Sequence, residues 1–536
     1  MQSLCCSAAI TDEDLSEKIA YLSDSCTGRL NDTQLFKSTN HRELRLLGEI
    51  VRRSTDAQLA THDPHTLVSC AIKLRLKYFS SSLHFEADLS ERSRENKHRL
   101  AESYLEHILR VLLMASRSPG SVAKTVVDTL EGENFWGARL FCVGVVCQLL
   151  SLEPTEAAIL CHELCDKIEF PNKSIDTKLI VRVLYELLDV HPWPDTSETT
   201  AFLERILNLY DRSLHDGEPK NEADALFPKL RGSLELCIRH VVKNVSRAHL
   251  ILVIQRMTGW SVRAGVNENV IANYGSALEY VASMYRGYYS VADTLTSEMI
   301  ALLMGMIASS ERCVSLLGNR VLQYMIDSGE NRVLFGTPKI FFEGMNVNLA
   351  IKGFRREDGK FLKLHRELTH ESLTKSLINH RQDRLNLETT YCTLCLLAAE
   401  IPCGFTAAVM SCLMMNVQDI VMKNPELIGK EASYHIHAII ISVLSFVCWI
   451  HEAKDFHAYV YKIVMERAQW APHLNPPLRS SYNNFAVHHV LWDKPELFFV
   501  DWEVRYGLWR RFRLNGADKA QVELVTNKND KGEYTA

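Results

Sequence analysis

Two adjacent thiols near the start of the chain, Cys5 and Cys6, carry the plainest candidate chemistry. Cysteines beside a membrane accept palmitoyl groups as thioesters. Two acyl chains hold a protein at a bilayer, where one gives only marginal, reversible binding. The competing reading is chance adjacency in a chain of 15 cysteines. The second candidate is Glu496–Leu514, where Leu497, Val500, Val504 and Leu508 form an apolar helical stripe. Trp502, Tyr506, Trp509 and Phe512 widen it, and Arg510, Arg511 and Arg513 gather at its end. A basic-aromatic helix of this kind contacts an anionic membrane or a partner groove, each arginine contributing about 1 kcal/mol near an anionic leaflet. The alternative is a terminal cap on the fold, with its arginines at the favourable end of the helix dipole.

The remaining constellations read as packing. Cys392 and Cys395 have the spacing of half a zinc site, but a structural site needs four ligands. Cys403, Cys412, His435 and His437 are only scattered partners. Cys161, His162 and Cys165 sit in a similar apolar run, and His488-His489 reads as a surface pair. No Walker loop, no GxGxxG after a strand and no GxSxG elbow is present. These absences predict a protein that is not an enzyme, with no cofactor, no metal and no small-molecule substrate. The formal charge of −5 excludes a net-basic nucleic-acid footprint.

The elements that position these residues are helices, because the dominant hydrophobic period is 3.6 residues. Leu100, Tyr104, Ile108, Leu112 and Ala115 mark one stripe; Ile180, Val183, Leu184, Leu187 and Leu188 a second; Leu203, Ile206, Leu207, Tyr210 and Leu214 a third. Ser197-Glu198 and Asp383 stand at helix starts, and Pro119-Gly120, Pro154, Pro171, Pro192-Trp193-Pro194, Pro402 and Pro425 punctuate the chain. The pattern predicts an all-α fold, an armadillo/HEAT-like right-handed α-solenoid of about twenty helices with paired units of about 40 residues. No strict sequence repeat is visible. Expected divisions are an N-terminal segment at 1–30, repeats at 31–332, an irregular loop or short hairpin at 333–359, repeats at 360–471, a proline-containing linker at 472–494, the basic-aromatic helix at 495–514 and a disordered tail at 515–536. Ala432–Ile450 carries no formal charge and approaches the length of a membrane span. Its Ser433, Tyr434, His435 and His437 favour a buried core helix. The cysteines, scattered singly in apolar helices without a secretory signal, read as reduced thiols of a cytosolic protein.

Several segments resemble the Rolling blackout (Efr-three) family. They are Leu316–Arg332, Lys360–Lys375, Glu388–Val421 ending in Gln418-Asp419, and His435–Leu474 with Tyr459–Met465, Arg467 and Ala471-Pro472. Weaker likeness reaches back to about Asn40, through Glu133-Asn134-Phe135-Trp136. The resemblance implies a helical-repeat anchor for the type III alpha phosphatidylinositol 4-kinase complex, including its tetratricopeptide-repeat subunit. It also implies a peripheral place on the cytoplasmic face of the plasma membrane, beside a cytosolic pool. By this resemblance the family's basic N-terminal patch is expected to be missing here and its long C-terminal tail mostly so, with the chain starting inside the family's second quarter. The alternative from the helix rhythm alone is a cytosolic armadillo-type adaptor for an extended peptide or helix, with no lipid role.

Overall fold

The computed structural model describes residues 10–27, 42–61, 64–82, 91–115, 119–132, 135–150, 154–170, 174–215, 226–262, 268–285, 291–351, 353, 355–482 and 494–501. Among them are 23 α-helices, four short 3-10 turns and no strand. The chain divides into two compact units, residues 1–249 and 250–536.

The first unit contains α1 (Asp12–Thr27), α2 (Arg42–Arg53), α3 (Asp56–Thr61), α4 (Pro64–Ser82), α5 (Glu91–Ala115), α6 (Pro119–Gly132), α7 (Arg139–Leu150), α8 (Pro154–Glu169), α9 (Ser174–Val190), α10 (Ser197–Leu214) and α11 (Phe227–Val241). Helices α1, α4, α6, α8 and α10 pack side by side in one layer, and α2, α5, α7, α9 and α11 in a second. Each first-layer helix also packs on its second-layer partner, so α1 with α2, α4 with α5, and so on to α10 with α11 are the repeating hairpins. A two-layer stack of this kind buries each helix's apolar stripe only against its neighbours.

The stripes expected in α9 and α10 are buried in full. In α5 the stripe is displaced: Leu100 is 70% exposed, and Ala101, Leu105, Ile108 and Leu112 face the core. The start of α10 also differs by one residue, because Thr196 rather than Ser197 is the N-cap, its side chain accepting from Thr199 N.

Charged pairs join successive hairpins. Lys167 on α8 binds Asp128 (2.8 Å) and Glu131 (2.5 Å) on α6. Arg205 on α10 binds Asp166 (2.5 Å) and Glu169 (3.1 Å) on α8. In both bridges the base stands 39 positions after its aspartate. A short repeat signature, an Asp-x-x-Glu pair answered by a base one repeat later, is therefore present after all. The pairs are partly exposed and contribute little energy, but they report the register of the stack.

Helix α12 (Arg247–Trp260) crosses the boundary between the units. The second unit follows with α13 (Glu268–Met284), α14 (Val291–Thr294), α15 (Ser297–Ile307), α16 (Arg312–Ile326), α17 (Arg356–Leu364), α18 (Arg366–Asn379), α19 (Arg384–Glu400), α20 (Gly404–Lys423), α21 (Pro425–Ile428), α22 (Lys430–Ile450) and α23 (Lys454–Trp470). Helices α13, α16, α19 and α22 form one layer, and α15, α18 and α20 the other. Thr296 and Asp383 cap α15 and α19 through Met299 N (3.1 Å) and Asn386 N (3.2 Å). Helices α15 and α16 approach closely at Gly318, where an added Cβ would meet Met306 Cβ at 2.7 Å.

Helix α22 is long and apolar enough to cross a membrane by length and composition, and so is α20, which sequence reading did not single out. Both are largely buried, and α22 packs against α19, α20 and α23. Every residue from His435 to Cys448 is buried, the pattern of a helix surrounded on all sides by protein or lipid. Here the surroundings are neighbouring repeats.

Two segments expected as interruptions are part of the core. Between the 3-10 turn Asn331–Phe335 and α17, the irregular stretch inserts Phe341 beside Phe335 and Phe446, all three fully buried. It forms no hairpin, and α17 begins at Arg356, inside the expected loop. The expected linker after residue 471 starts with a 3-10 turn, Pro472–Leu474, and Ala471, Leu474 and Leu478 are buried. Proline punctuation here shapes a packed corner because its neighbours are apolar.

A candidate partner groove and the strap beside it

The sequence-derived candidates Cys5, Cys6, Trp502, Trp509, Arg510, Arg511 and Arg513 lie outside the described residues, as does His488-His489. The beginning of the expected basic-aromatic helix is described and is not α-helical. Pro495–Leu497 is a 3-10 turn, and Phe498 has extended backbone (φ −130°, ψ 161°). Leu497, Phe498 and Phe499 are buried in the core, while Val500 is 44% exposed. A stripe that starts at Leu497 and continues to Leu508 on one helix is thus excluded at its first members.

The cysteine clusters resolve as packing. Burial pushes the Cys392 and Cys165 thiols up to about 12, and Cys161 and Cys395 well above the usual thiol range. Thiols raised in this way are protonated at neutral pH and weakly nucleophilic. Among the described residues no group of three His, Cys, Asp or Glu is placed to hold a metal ion, and no disulfide joins the described cysteines to one another.

Sequence reading missed a groove of about 350 Å³ on the α13–α16–α19 layer. Periodicity identifies which side of a helix is buried, not which exposed sides adjoin. Glu279 of α13, Arg320, Gln323 and Tyr324 of α16, Arg332 and Val333 of the following turn, and Leu385, Glu388 and Thr389 of α19 line it. Arg320 binds Glu279 at 3.0 Å across two repeats. The Arg332 guanidinium lies 3.9 Å from the Tyr324 ring centre and donates to its hydroxyl at 2.9 Å. Glu388 is held by Arg384 at 2.8 Å. Val333 is 85% exposed beside this charged floor.

The floor is rigid because polar side chains lock α16 to α19. Gln323 donates to Thr389 O (2.8 Å) and Thr393 Oγ1 (3.0 Å), and Thr393 donates to Asn319 Oδ1 (2.7 Å). Fully paired buried groups of this kind fix helix register. Pre-oriented charges next to exposed apolar side chains suit recognition of a polypeptide.

The turn carrying Arg332 and Val333 is positioned by two carboxylates. Asp327 accepts from Asn331 N (2.7 Å) and Arg332 N (3.0 Å). Glu400, at the end of α19, accepts from the Ser328 hydroxyl, from Gly329 N (3.4 Å) and from Asn331 Nδ2 (3.2 Å). Burial raises the Glu400 pKa, only partly offset by these donors. A carboxyl whose folded pKa lies above its unfolded value favours folding when protonated. Its contribution therefore grows as pH falls through the raised folded value and is complete below the unfolded value. Glu400→Gln, neutral at every pH, is expected to be more stable than the native chain at pH 7.5, with the gap closing as pH approaches 4.5. Urea unfolding at a series of pH values measures this; a gap that does not change with pH would remove Glu400 as its source.

Two residues from the quoted family segments meet on one feature, the strap 494–500. Arg467 is fully buried; its Nε donates to Leu497 O (2.7 Å), and its Nη1 donates to His437 O (3.1 Å) and Leu474 O (3.1 Å). Gln418, also fully buried, exchanges two hydrogen bonds with the backbone of Phe499 (3.1 and 3.2 Å). Sequence likeness had drawn attention to both side chains; their shared task is to hold the strap on α20 and α23.

Comparison with known proteins agrees with this architecture. Residues 261–490 match the family model described as EFR3, armadillo repeat, which falls wholly within the second unit. No curated protein and no solved structure matches the chain. The α13–α23 stack thus coincides with a stretch, less than half of the chain, that is similar to the EFR3 armadillo repeat.

Proposed function

We propose that this protein is a non-catalytic scaffold that holds a phosphatidylinositol 4-kinase complex, including a tetratricopeptide-repeat subunit, at the cytoplasmic face of the plasma membrane. The observation that carries the reading is the EFR3 armadillo repeat at 261–490. The α13–α16–α19 groove supports it, because a rigid charged floor flanked by Val333 and Leu385 is a surface for a protein partner. Attachment is peripheral: Cys5 and Cys6 take two acyl chains, the two signals that stable anchoring requires. Trp502, Trp509, Arg510, Arg511 and Arg513 contribute a weaker contact with anionic lipid. A cytosolic pool accompanies the membrane pool because palmitoylation is reversible. The second reading, a cytosolic adaptor for an extended peptide, is favoured by the same groove.

The test is a fluorescent fusion in three forms: native, Cys5→Ser/Cys6→Ser, and Arg510→Ala/Arg511→Ala/Arg513→Ala. Affinity capture from each is followed by mass spectrometry. The native form is expected at the cell periphery with a lipid kinase among its captured proteins. The double-serine form should be at least tenfold depleted there, and the arginine form depleted less. A native fusion that is wholly cytosolic and captures no lipid kinase would favour the adaptor reading.

A further inference from the structure

We propose that α17 is a further membrane contact, its exposed face lying on the anionic surface of a phospholipid bilayer. The proposal rests on the peripheral-membrane reading above and adds to it a site on a helix of the second unit. From Arg355 to Arg366 the chain carries Arg355, Arg356, Lys360, Lys363 and Arg366 against Glu357 and Asp358, in a protein whose formal charge is −5. Arg356, Lys360 and Lys363 recur at spacings of four and three, which places them on one face of a helix. All three are exposed, while Asp358 and Leu362, on the opposite side, are 5% and 3% exposed.

The buried side fixes the rotation of the helix. Asp358 accepts from Ala292 N at 2.8 Å, and α17 packs on α14 and α20. With that side tied down, the basic stripe can only face outwards. Leu364, one turn beyond Lys360, is 74% exposed beside it.

Elsewhere in the structure, bases on solvated helix faces are matched by a carboxylate one turn away. Lys375 binds Glu371 on α18 (2.7 Å), Arg384 binds Glu388 on α19 (2.8 Å) and Arg239 binds Glu235 on α11 (2.7 Å). Arg366 binds Glu367 at 3.1 Å, but Arg356, Lys360 and Lys363 form no ion pair among the described residues. Like charges one turn apart repel, so the stripe opposes the stability of its own helix. An anionic surface laid against the stripe offsets that repulsion. The exposed leucine beside the bases favours a bilayer over an acidic protein, because interfacial helices combine a basic face with apolar groups that enter the headgroup layer. Each base near an anionic leaflet strengthens binding about fivefold, and three together on the order of a hundredfold.

The test uses the full chain purified without acyl groups, so that Cys5 and Cys6 play no part. Sedimentation with phosphatidylcholine vesicles, with and without phosphatidylserine, is compared for the native chain, Arg356→Ala/Lys360→Ala/Lys363→Ala and Leu364→Ser. The native chain is expected to bind only the vesicles that contain phosphatidylserine, more weakly as salt rises. Hydrogen–deuterium exchange across Arg356–Leu364 should slow in the bound state, and should still do so in Arg510→Ala/Arg511→Ala/Arg513→Ala. The triple α17 variant should bind at least tenfold more weakly, and Leu364→Ser should lose less. The triple variant should keep a urea midpoint at or above the native value, since the repulsion is gone and no buried group is touched. Native-strength binding by the triple variant, or unchanged α17 exchange with vesicles bound, would overturn the proposal and leave the acyl anchor to the cellular test above. Slowing of α17 by poly-glutamate but not by vesicles would assign the face to an acidic protein and equally overturn it.

Discussion

Arg467→Met is expected to loosen the strap 494–500 and destabilise the second unit by about 2–4 kcal/mol. Two opposing terms set that figure. Removing the guanidinium relieves a buried charge that has no carboxylate partner among the described residues, and burial already pushes its pKa down to about 9. Replacing buried ions by apolar groups of similar size is often close to neutral on that account. Against this, the carbonyls of Leu497 and Leu474 lose their donor inside a sealed core, and each orphaned acceptor costs about 1–3 kcal/mol. His437 O loses less, since it lies within α22 and retains its helical environment. The orphaned carbonyls win because methionine fills the volume but donates nothing. Arg467→Lys should not rescue, since one ammonium group cannot reproduce the two directions used by Nε and Nη1. Exchange of the Phe498 and Phe499 amides, read beside urea unfolding, separates local release from global loss. A methionine variant with native exchange at those amides would show that the strap does not depend on Arg467.

Phe446→Ala should be the most damaging single truncation in the second unit, at about 3–5 kcal/mol. Its ring lies 4.8 Å from Phe335 and 4.7 Å from Phe341, centre to centre, and all three side chains are fully buried. The irregular stretch that supplies Phe341 has no regular hydrogen-bond ladder. It is held by Phe341 N donating to Ser445 Oγ (3.1 Å) and by the ring nitrogen of His457 at 2.8 Å from Phe341 O. Loss of the Phe446 ring therefore removes packing from the segment least able to compensate. Limited trypsin digestion should cut near Arg355 and Arg356 well before the native chain is cleaved there, and the urea midpoint should fall. Simultaneous loss of protection throughout α19 and α22 would show a cooperative core; cutting with an unchanged midpoint would show that the segment is merely draped on the surface.

The all-helical repeat architecture was legible in the sequence because amphipathic helices carry their burial pattern locally. The stripes of α9 and α10 were read residue by residue, the Asp383 cap was identified, and the charge-free run of α22 was recognised as a core helix from its Ser-Tyr-His beginning. The family resemblance rested on segments that the repeat match then covered, and it picked out Gln418 and Arg467 before their task was known. The stripe of α5 was misplaced because Leu100 and Leu105 are both leucines, and period alone does not say which way the helix is turned. The aromatic run after Pro495 was read as one helix because 3.6-residue spacing is blind to the extended backbone at Phe498.

What only the tertiary structure decided depends on residues brought together from distant repeats. The groove joins Glu279, Arg320, Arg332 and Glu388 from four separate segments. The latch of the strap joins Gln418, Arg467 and Phe499 across up to 81 positions. The bridges of Lys167 and Arg205 reach back 39 positions, a periodicity hidden until the contacts showed which charges to compare. Local sequence determines helix formation because hydrogen bonding and side-chain period act within a few residues. Which exposed faces adjoin, and whether a proline-rich or glycine-rich stretch is a linker or part of the core, is settled by packing between repeats, where the partners of each side chain lie tens of residues away.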